Sequence, residues 1–208
     1  MRKKYQESKK PAQVSEGPDD IREVRTMDAQ LIRFSKFISL VLRHQPQHYG
    51  LTLDAQGWAT IDDLLAAANR AGVPLTHALL QQVVAQNDKQ RFAISADGRA
   101  IRANQGHSIA IDLALTPREP PPLLYHGTAS RFVASIRTQG LLRRSRQYVH
   151  LSPDVSTATK VGLRHGSPVV LTVASGAMHR DGYQFYCSEN GVWLVEAVPV
   201  AYLTFPKQ

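Results

Sequence analysis

The chain has 208 residues, 43% of them hydrophobic, and its 25 Lys and Arg against 17 Asp and Glu leave a formal charge of +8, which points toward polyanions such as RNA or DNA. A single cysteine, Cys187, excludes an intrachain disulfide and any cysteine-built zinc framework, and suits a reducing compartment. With no leader-like apolar segment and no apolar run of about 18 residues, a cytoplasmic protein without a membrane span is expected, nothing demanding more than a monomer.

At this length one large core or two small ones can form, and two domains are expected. Residues 1–26 are charged and poor in apolar side chains. They cannot bury enough surface to offset their ordering entropy, and are expected to form a disordered basic tail. From Asp28, a candidate N-cap, the residues Leu31, Phe34, Ile38 and Val41 recur at helical spacing. Pro46 bars continuation, which leaves Arg43 and His44 at the helix end.

Trp58 follows a glycine turn, and Thr60-Ile61-Asp62-Asp63 reads as a capping signal for a helix of Leu64, Leu65 and Ala68 that Gly72 should terminate. A third helix carries Leu75, Leu79, Leu80, Val83 and Val84. Arg91-Phe92-Ala93-Ile94 and Ala100-Ile101-Arg102 flank the turn Ala96-Asp97-Gly98, predicting a hairpin. Three helices followed by a hairpin describe a winged-helix-like lobe over residues 27–115.

Thr-Pro-Arg-Glu-Pro-Pro-Pro (116–122) has neither helix nor strand potential and is expected to be a stiff connector marking the domain boundary. Over 123–208, strand candidates at 123–126, 147–151, 168–173, 183–187 and 192–200 interleave with two short helices. One is ended by Gly140 and the other follows Pro153. The fold class is therefore α+β, its second lobe built mainly from antiparallel strands.

A Walker A loop, G-x-G-x-x-G, H-E-x-x-H and G-x-S-x-G are all missing, which removes weight from kinase, Rossmann, zincin and α/β-hydrolase chemistry. What remains is arginine and histidine. Arg43 and His44 are favoured at a helix C-terminus by the macrodipole alone. With Arg91 and Arg102 on the expected wing and Arg146 ahead of the His150 strand, the arginines also form four forks that could converge on one anion. Each charge-assisted bond to such an anion contributes roughly 1.5–3 kcal/mol. His126-Gly127-Thr128 at a strand end offers an imidazole, a backbone amide and a hydroxyl to a sugar or amide ligand, glycine permitting close approach, or else is an ordinary turn. His150 and Ser152 alternate on one strand and face one side, where a lone histidine is otherwise a core residue.

Taken in order, Leu-Arg-His-Gln-Pro (42–46), Lys-Gln-Arg-Phe (89–92), Ile-Arg-Ala-Asn-Gln-Gly-His-Ser (101–108), Tyr-His-Gly-Thr (125–128), Arg-Gln-Tyr-Val-His-Leu-Ser (146–152) and Asn-Gly-Val-Trp-Leu (190–194) resemble the RNA 2′-phosphotransferase family, over roughly residues 30–205. The resemblance implies a winged-helix-like front lobe and a rear lobe of the ADP-ribosyltransferase fold, with NAD and a 2′-phosphorylated RNA, tRNA-like or other, between them. The family's activity, associated with tRNA splicing, removes an internal 2′-phosphate. That phosphate attacks the nicotinamide ribose of NAD and expels nicotinamide, giving RNA-2′-phospho-ADP-ribose. The ribose 2″-hydroxyl then attacks phosphorus and releases ADP-ribose 1″,2″-cyclic phosphate.

By the same resemblance the essential Arg-His-Arg-Arg set falls on Arg43, His44, Arg91 and Arg146, with Arg143 and Arg144 as competitors for the last place. His126, Gly127, Thr128, His150 and Ser152 fall in the NAD site. Asn104, Gln105 and His107, with Arg102, are weaker candidates for RNA or NAD phosphate contacts. No metal is expected. Protein-modifying relatives of the fold carry a glutamate where Asn190-Gly191-Val192-Trp193 stands here, Glu189 being out of register. An RNA phosphate is already an anion and needs no such base, which a neighbouring carboxylate would only repel. The alternatives are an ADP-ribosyltransferase acting on nucleic-acid terminal phosphates or on protein, and a noncatalytic winged-helix nucleic-acid binder.

Overall fold

A computed structural model describes residues 18–87 and 90–206. The first helix, α1 (Pro18–Arg43), begins ten residues before the expected N-cap at Asp28, so residues 18–26 are helical and not part of a tail. The rest of the expected tail lies outside the described residues. Leu31, Phe34, Ile38, Val41 and Leu42 are all buried, the stripe anticipated from their spacing. The helix stops because the His44 and Gln45 amides both turn back onto the Leu40 carbonyl, at 3.0 and 3.1 Å, immediately ahead of Pro46.

α2 (Ile61–Arg70) is capped by Thr60, whose hydroxyl accepts from the Asp63 amide at 3.1 Å and donates to its carboxylate at 2.6 Å. It ends at Ala71 and Gly72, the latter at φ 70°, where a side chain would be strained. Thr76 caps α3 (His77–Ala85) in the same way. Strands β2 (Phe92–Ile94) and β3 (Ala100–Ala103) form the expected hairpin, with Ala93 opposite Arg102, and β1 (Ala59–Thr60) adds to the free edge of β3. Helices and sheet enclose one apolar cluster running from Leu31 to Ala103.

The proline segment is extended but not a free connector. Pro117 bridges Tyr186, the Arg118 amide bonds to the Phe185 carbonyl at 2.8 Å, and the Pro121 and Pro122 carbonyls accept from Ser175 Oγ at 2.6 Å and the Gly176 amide at 3.0 Å. The segment is laid down against residues 175–186. Ser175 and Gly176 open α6 (Ser175–Arg180), a six-residue helix too short to announce itself by periodicity.

The remaining strands form antiparallel groups: β4 (Leu124–Ala129) with β7 (Pro168–Val173) and β11 (Leu203–Thr204); β6 (Val149–Leu151) with β9 (Trp193–Val195) and β8 (Tyr186–Cys187); and β5 (Leu141–Leu142) with β10 (Ala197–Val198). The long strand expected at 192–200 is thus two, broken at Glu196, and that at 183–187 shrinks to its last two residues. α4 (Val133–Gln139) ends at Gly140, and α5 (Val155–Gly162) follows Pro153 with Asp154 as its cap. A second apolar cluster, including Leu124, Leu151, Leu171, Met178 and Phe185, lies among these elements. At about 1.5–3 kcal/mol for each large side chain buried, it holds the strands in place. The whole is α+β, as expected. Among the described residues no helix is long and apolar enough to cross a membrane.

Where the second lobe's sheets adjoin, β4 and β6 meet at a single bridge, Tyr125 opposite Ser152, with reciprocal amide to carbonyl bonds of 2.9 and 2.8 Å. On β4 the face of Gly127 is occupied by α5. A Cβ built on Gly127 would lie 2.6 Å from the Ala158 carbonyl carbon and 2.9 Å from the Gly162 amide nitrogen. The close approach expected of a ligand at this glycine is made by a helix backbone instead.

Candidate active site

Arg43 leaves the last turn of α1 pointing at the hairpin. Its Nη2 donates to the Arg91 carbonyl at 3.4 Å, its guanidinium lies 6.0 Å over the Phe92 ring, and its own carbonyl accepts from the Ser108 amide at 3.0 Å. Arg91 is steadied by Nη1 donating to Asn87 Oδ1 at 3.0 Å. Burial first, then the positive charges of Arg91 and Arg146, push the Arg43 guanidinium down to about 10, still charged at neutral pH. Side chains from α1, the hairpin and the segment before β6 are thus within electrostatic reach of one another. Neither Arg43 nor Arg146 is in an ion pair among the described residues. Concentrated like charge of this kind is costly unless an anion is meant to offset it.

His44 sits at the edge of the cluster, its Nδ1 2.9 Å from Ser108 Oγ, and its pKa is lowered by burial, then Arg43, then Arg146. His107 is nearly fully buried. Both its ring nitrogens lack a protein partner, and burial with Arg43, His44 and Arg102 nearby pushes it down to about 4. Arg43 Nε and Asn104 Oδ1 are likewise buried without partners. Asn104 Nδ2 donates to the Gln90 carbonyl at 2.7 Å, and its neighbour Gln105 is half-buried. Buried polar atoms left unmatched cost about 1–3 kcal/mol each, and their grouping here marks a place for a polar ligand.

On the other side stand the strand histidines. The carbonyl of His150 accepts from His126 Nδ1 at 3.0 Å, which assigns that proton to Nδ1 and leaves Nε2 of His126 as an acceptor. Arg146 Nη1 lies 2.6 Å from His150 Nδ1, so the guanidinium donates and His150 is a neutral ring protonated at Nε2. Burial, Arg146 and Arg43 together push His150 down to about 3, and burial dominates the lowering of His126. Thr128 is buried on the same strand face as His126, and Ser152 is half-buried at the bridge.

Two expectations are corrected, and one choice among alternatives is narrowed. Arg102, expected among four converging forks, instead forms a 2.8 Å ion pair with Glu189 of the second lobe and stacks over Trp58 at 4.6 Å. The arginines that act electrostatically on Arg43 are Arg91 and Arg146. Gly127, expected to admit a ligand, admits the α5 backbone. Of the competing arginines, Arg144 bonds to Gln139 at 3.4 Å with a strained φ of 55°, and Arg143 lines a separate cleft, whereas Arg146 is the one beside Arg43, His44 and His150.

Gln147 stands in the Arg-Gln-Tyr-Val-His-Leu-Ser motif with no role that its sequence position suggests. Its Nε2 donates to the carbonyls of Ile109 at 3.1 Å and Ile111 at 2.8 Å, and its amide bonds to the His107 carbonyl at 3.3 Å. This side chain ties the segment carrying Arg146 to the segment carrying His107 and Ser108. Nothing short of tertiary structure indicates it.

A family model described as RNA 2′-phosphotransferase, Tpt1 / KptA family, matches residues 29–197. The chain belongs to that family. Relatives named "Probable RNA 2′-phosphotransferase" are similar along nearly their whole length. That of Rhodopirellula baltica is 58% identical over 180 residues, covering 86% of this chain and 98% of the relative. Those of Agrobacterium fabrum, 58% over 170 residues (82% and 91%), and Burkholderia pseudomallei, 55% over 174 residues (84% and 95%), are comparable. The arginine cluster and the strand histidines all fall inside the span matched by the family model.

Proposed function

We propose that this RNA 2′-phosphotransferase family member removes an internal 2′-phosphate from RNA, using NAD as co-substrate, in a cleft between an N-terminal winged-helix-like lobe and a C-terminal ADP-ribosyltransferase-like lobe. The observation that carries the reading is the convergence of Arg43, Arg91 and Arg146 around buried, unmatched polar atoms. Such a cluster suits a dianionic phosphate ester.

The residues on the second side fit NAD. His126 presents an acceptor nitrogen and His150 a donor at Nε2, with the Thr128 and Ser152 hydroxyls beside them on the same two neighbouring chain segments. These four would hold its ribose and amide groups. When bound, NAD supplies an electrophilic ribose carbon bearing nicotinamide as leaving group.

The chain's own contribution is electrostatic and positional. Arg43 and Arg91 grip the RNA phosphate from the front lobe, fixing it against the rear lobe and spreading the charge that builds on its oxygens at the second transfer. Arg146 does the same from the rear while holding the His150 ring neutral and oriented. His44, whose pKa is lowered by burial first and then by Arg43 and Arg146, exchanges the proton of the attacking hydroxyl, with Ser108 fixing its ring. His107 and Gln105 offer further donors to phosphate oxygens, and the unmatched Asn104 Oδ1 an acceptor for a ribose hydroxyl. No step in this scheme calls on a metal ion.

Glutamate-dependent protein modification fits less well, because Glu189 is committed to Arg102. The test is product analysis with a 2′-phosphorylated oligoribonucleotide and labelled NAD. Release of a cyclic phosphate of ADP-ribose and recovery of 2′-hydroxyl RNA support the reading. Label that stays on RNA or protein supports an ADP-ribosyltransferase, and RNA binding with no NAD requirement supports a noncatalytic binder; either overturns it.

A further inference from the structure

Apart from the arginine cluster, the second lobe holds a cleft of about 560 Å3 lined by none of the residues assigned to phosphate or NAD. Tyr148, Tyr183 and Tyr186 form its apolar part, and Arg143, Gln147 and Glu196 its polar part. The Tyr148 and Tyr186 rings lie 5.5 Å apart at 55°, and Tyr183 is braced from behind by Tyr202 at 5.6 Å. All three are half-buried. Neither Arg143 nor Glu196 is engaged in an ion pair among the described residues. A donor and an acceptor therefore stand available beside three aromatic rings.

A nucleobase has the complementary form: two π faces, and an edge carrying both donors and acceptors. A second phosphate is matched less well, because Asp112 and Glu196 each act on Tyr148 more strongly than the opposing cation Arg143 does. The position is equally informative. Arg143 and Tyr148 begin and end one short segment that also carries Arg146 of the phosphate cluster, the turn being closed by the Arg146 amide on the Arg143 carbonyl at 3.1 Å. The cleft lies at the N-terminal end of β6 and the C-terminal end of β9, while Ser152 and its bridge to β4 lie past the opposite end of β6. Along the chain, Arg146 of the phosphate cluster lies between Arg143 and Tyr148 of the cleft and bonds to His150 at 2.6 Å.

We propose that this cleft receives the unpaired nucleobase adjacent to the 2′-phosphate of the RNA substrate, stacked among Tyr148, Tyr183 and Tyr186 and bonded at its edge by Arg143 and Glu196. The proposal rests on the reading of the chain as an RNA 2′-phosphotransferase.

The experiment is equilibrium binding, without NAD, of a short 2′-phosphorylated oligoribonucleotide and of two copies made abasic on one or the other side of the phosphate. One stacked base is worth a factor of about 5 to 150 in affinity. Wild type should lose that factor with one abasic copy. Tyr148→Ala should lose it with the intact oligonucleotide and lose nothing more with the abasic one. Tyr148→Phe should keep the wild-type pattern, and Arg143→Ala, at an exposed position, should weaken the intact oligonucleotide alone. Equal wild-type affinity for all three oligonucleotides overturns the proposal. So does a Tyr148→Ala loss that is the same for intact and abasic RNA, or unchanged RNA binding by Tyr148→Ala together with a raised KM for NAD in a separate turnover assay, which would place the adenine of NAD in the cleft. Failure of the underlying reading has a different signature: the 2′-phosphate is not turned over, while the abasic comparison still reports on the cleft.

Discussion

Replacing Gly127 with alanine isolates the reason a glycine stands in the Tyr-His-Gly-Thr motif. The added methyl would meet the Ala158 carbonyl carbon at 2.6 Å and the Gly162 amide nitrogen at 2.9 Å, where ordinary van der Waals contact begins at 3.4 Å. Both are backbone atoms of α5, so no rotamer change relieves the overlap. The helix must move off β4 as a body. Overpacking a core by a methylene costs about 1–3 kcal/mol where side chains can give, and a backbone clash belongs at the upper end. At about 2–4 °C per kcal/mol for a chain of this size, Gly127→Ala should lower the melting temperature by about 6–12 °C. Gly162→Ala, whose methyl would meet the Thr128 carbonyl oxygen at 2.7 Å across the same contact, should act in the same direction. Thermal unfolding followed by far-UV circular dichroism, with urea denaturation to check that the m-value is unchanged, reads both. A Gly127→Ala protein melting within a degree of wild type, yet defective in NAD use, would refute the packing argument and return the glycine to the ligand.

Folded His107 and His150 have pKa values of about 4 and about 3, below the 6.5 of the unfolded chain, so the unfolded state binds more protons between these limits. Stability should be full above pH 6.5 and fall as pH drops from there toward 4, and His107→Asn or His150→Asn should flatten the curve. A urea midpoint that is constant or rises toward acid contradicts this. Arg43→Ala or Arg91→Ala should abolish dephosphorylation of a 2′-phosphorylated oligonucleotide, whereas His44→Ala or Arg146→Ala should slow the second transfer and leave label from NAD on the RNA. Near-normal turnover, or no labelled RNA from the latter pair, refutes the respective assignments. Activity should survive EDTA, since arginines take the part a cation would play, and loss of turnover on chelation would contradict that. Glu189→Gln should cost no more than about 1 kcal/mol by denaturation, since its carboxylate is 55% exposed, and that loss should shrink with added salt.

Local patterns carry the helices and the hairpin: the Leu31 to Val41 stripe, the Thr60 cap and Gly72 stop, and the turn around Gly98 all rest on interactions within a few residues of chain. The start of α1 is misleading in the sequence because Asp28 resembles a cap while lying within a continuing helix. β8 and β10 are two residues long, and α6 has six; their existence depends on partners such as Trp193, Leu142 and Pro122, which no local period encodes. In the candidate site, the Arg-His pair at the end of α1 and the strand histidines are readable as residues with chemistry to offer. Their convergence is not, and composition treats Arg102 and Arg146 alike. Only the Glu189 carboxylate arriving from 87 residues away separates the one from the other. The same holds for Gln147, an unremarkable amide until it is seen between Ile109 and Ile111.

The proposed chemistry requires the arginine cluster to be a receptor for the RNA 2′-phosphate, and equilibrium binding of one oligoribonucleotide with and without that group, in the absence of NAD, tests this most directly. Two charge-assisted bonds from Arg43 and Arg91, at about 1.5 kcal/mol or more each, should make the 2′-phosphorylated form bind at least about 100-fold more tightly, with Arg43→Ala removing most of the preference. Equal affinity for the two oligonucleotides, or a preference untouched by Arg43→Ala, would contradict it.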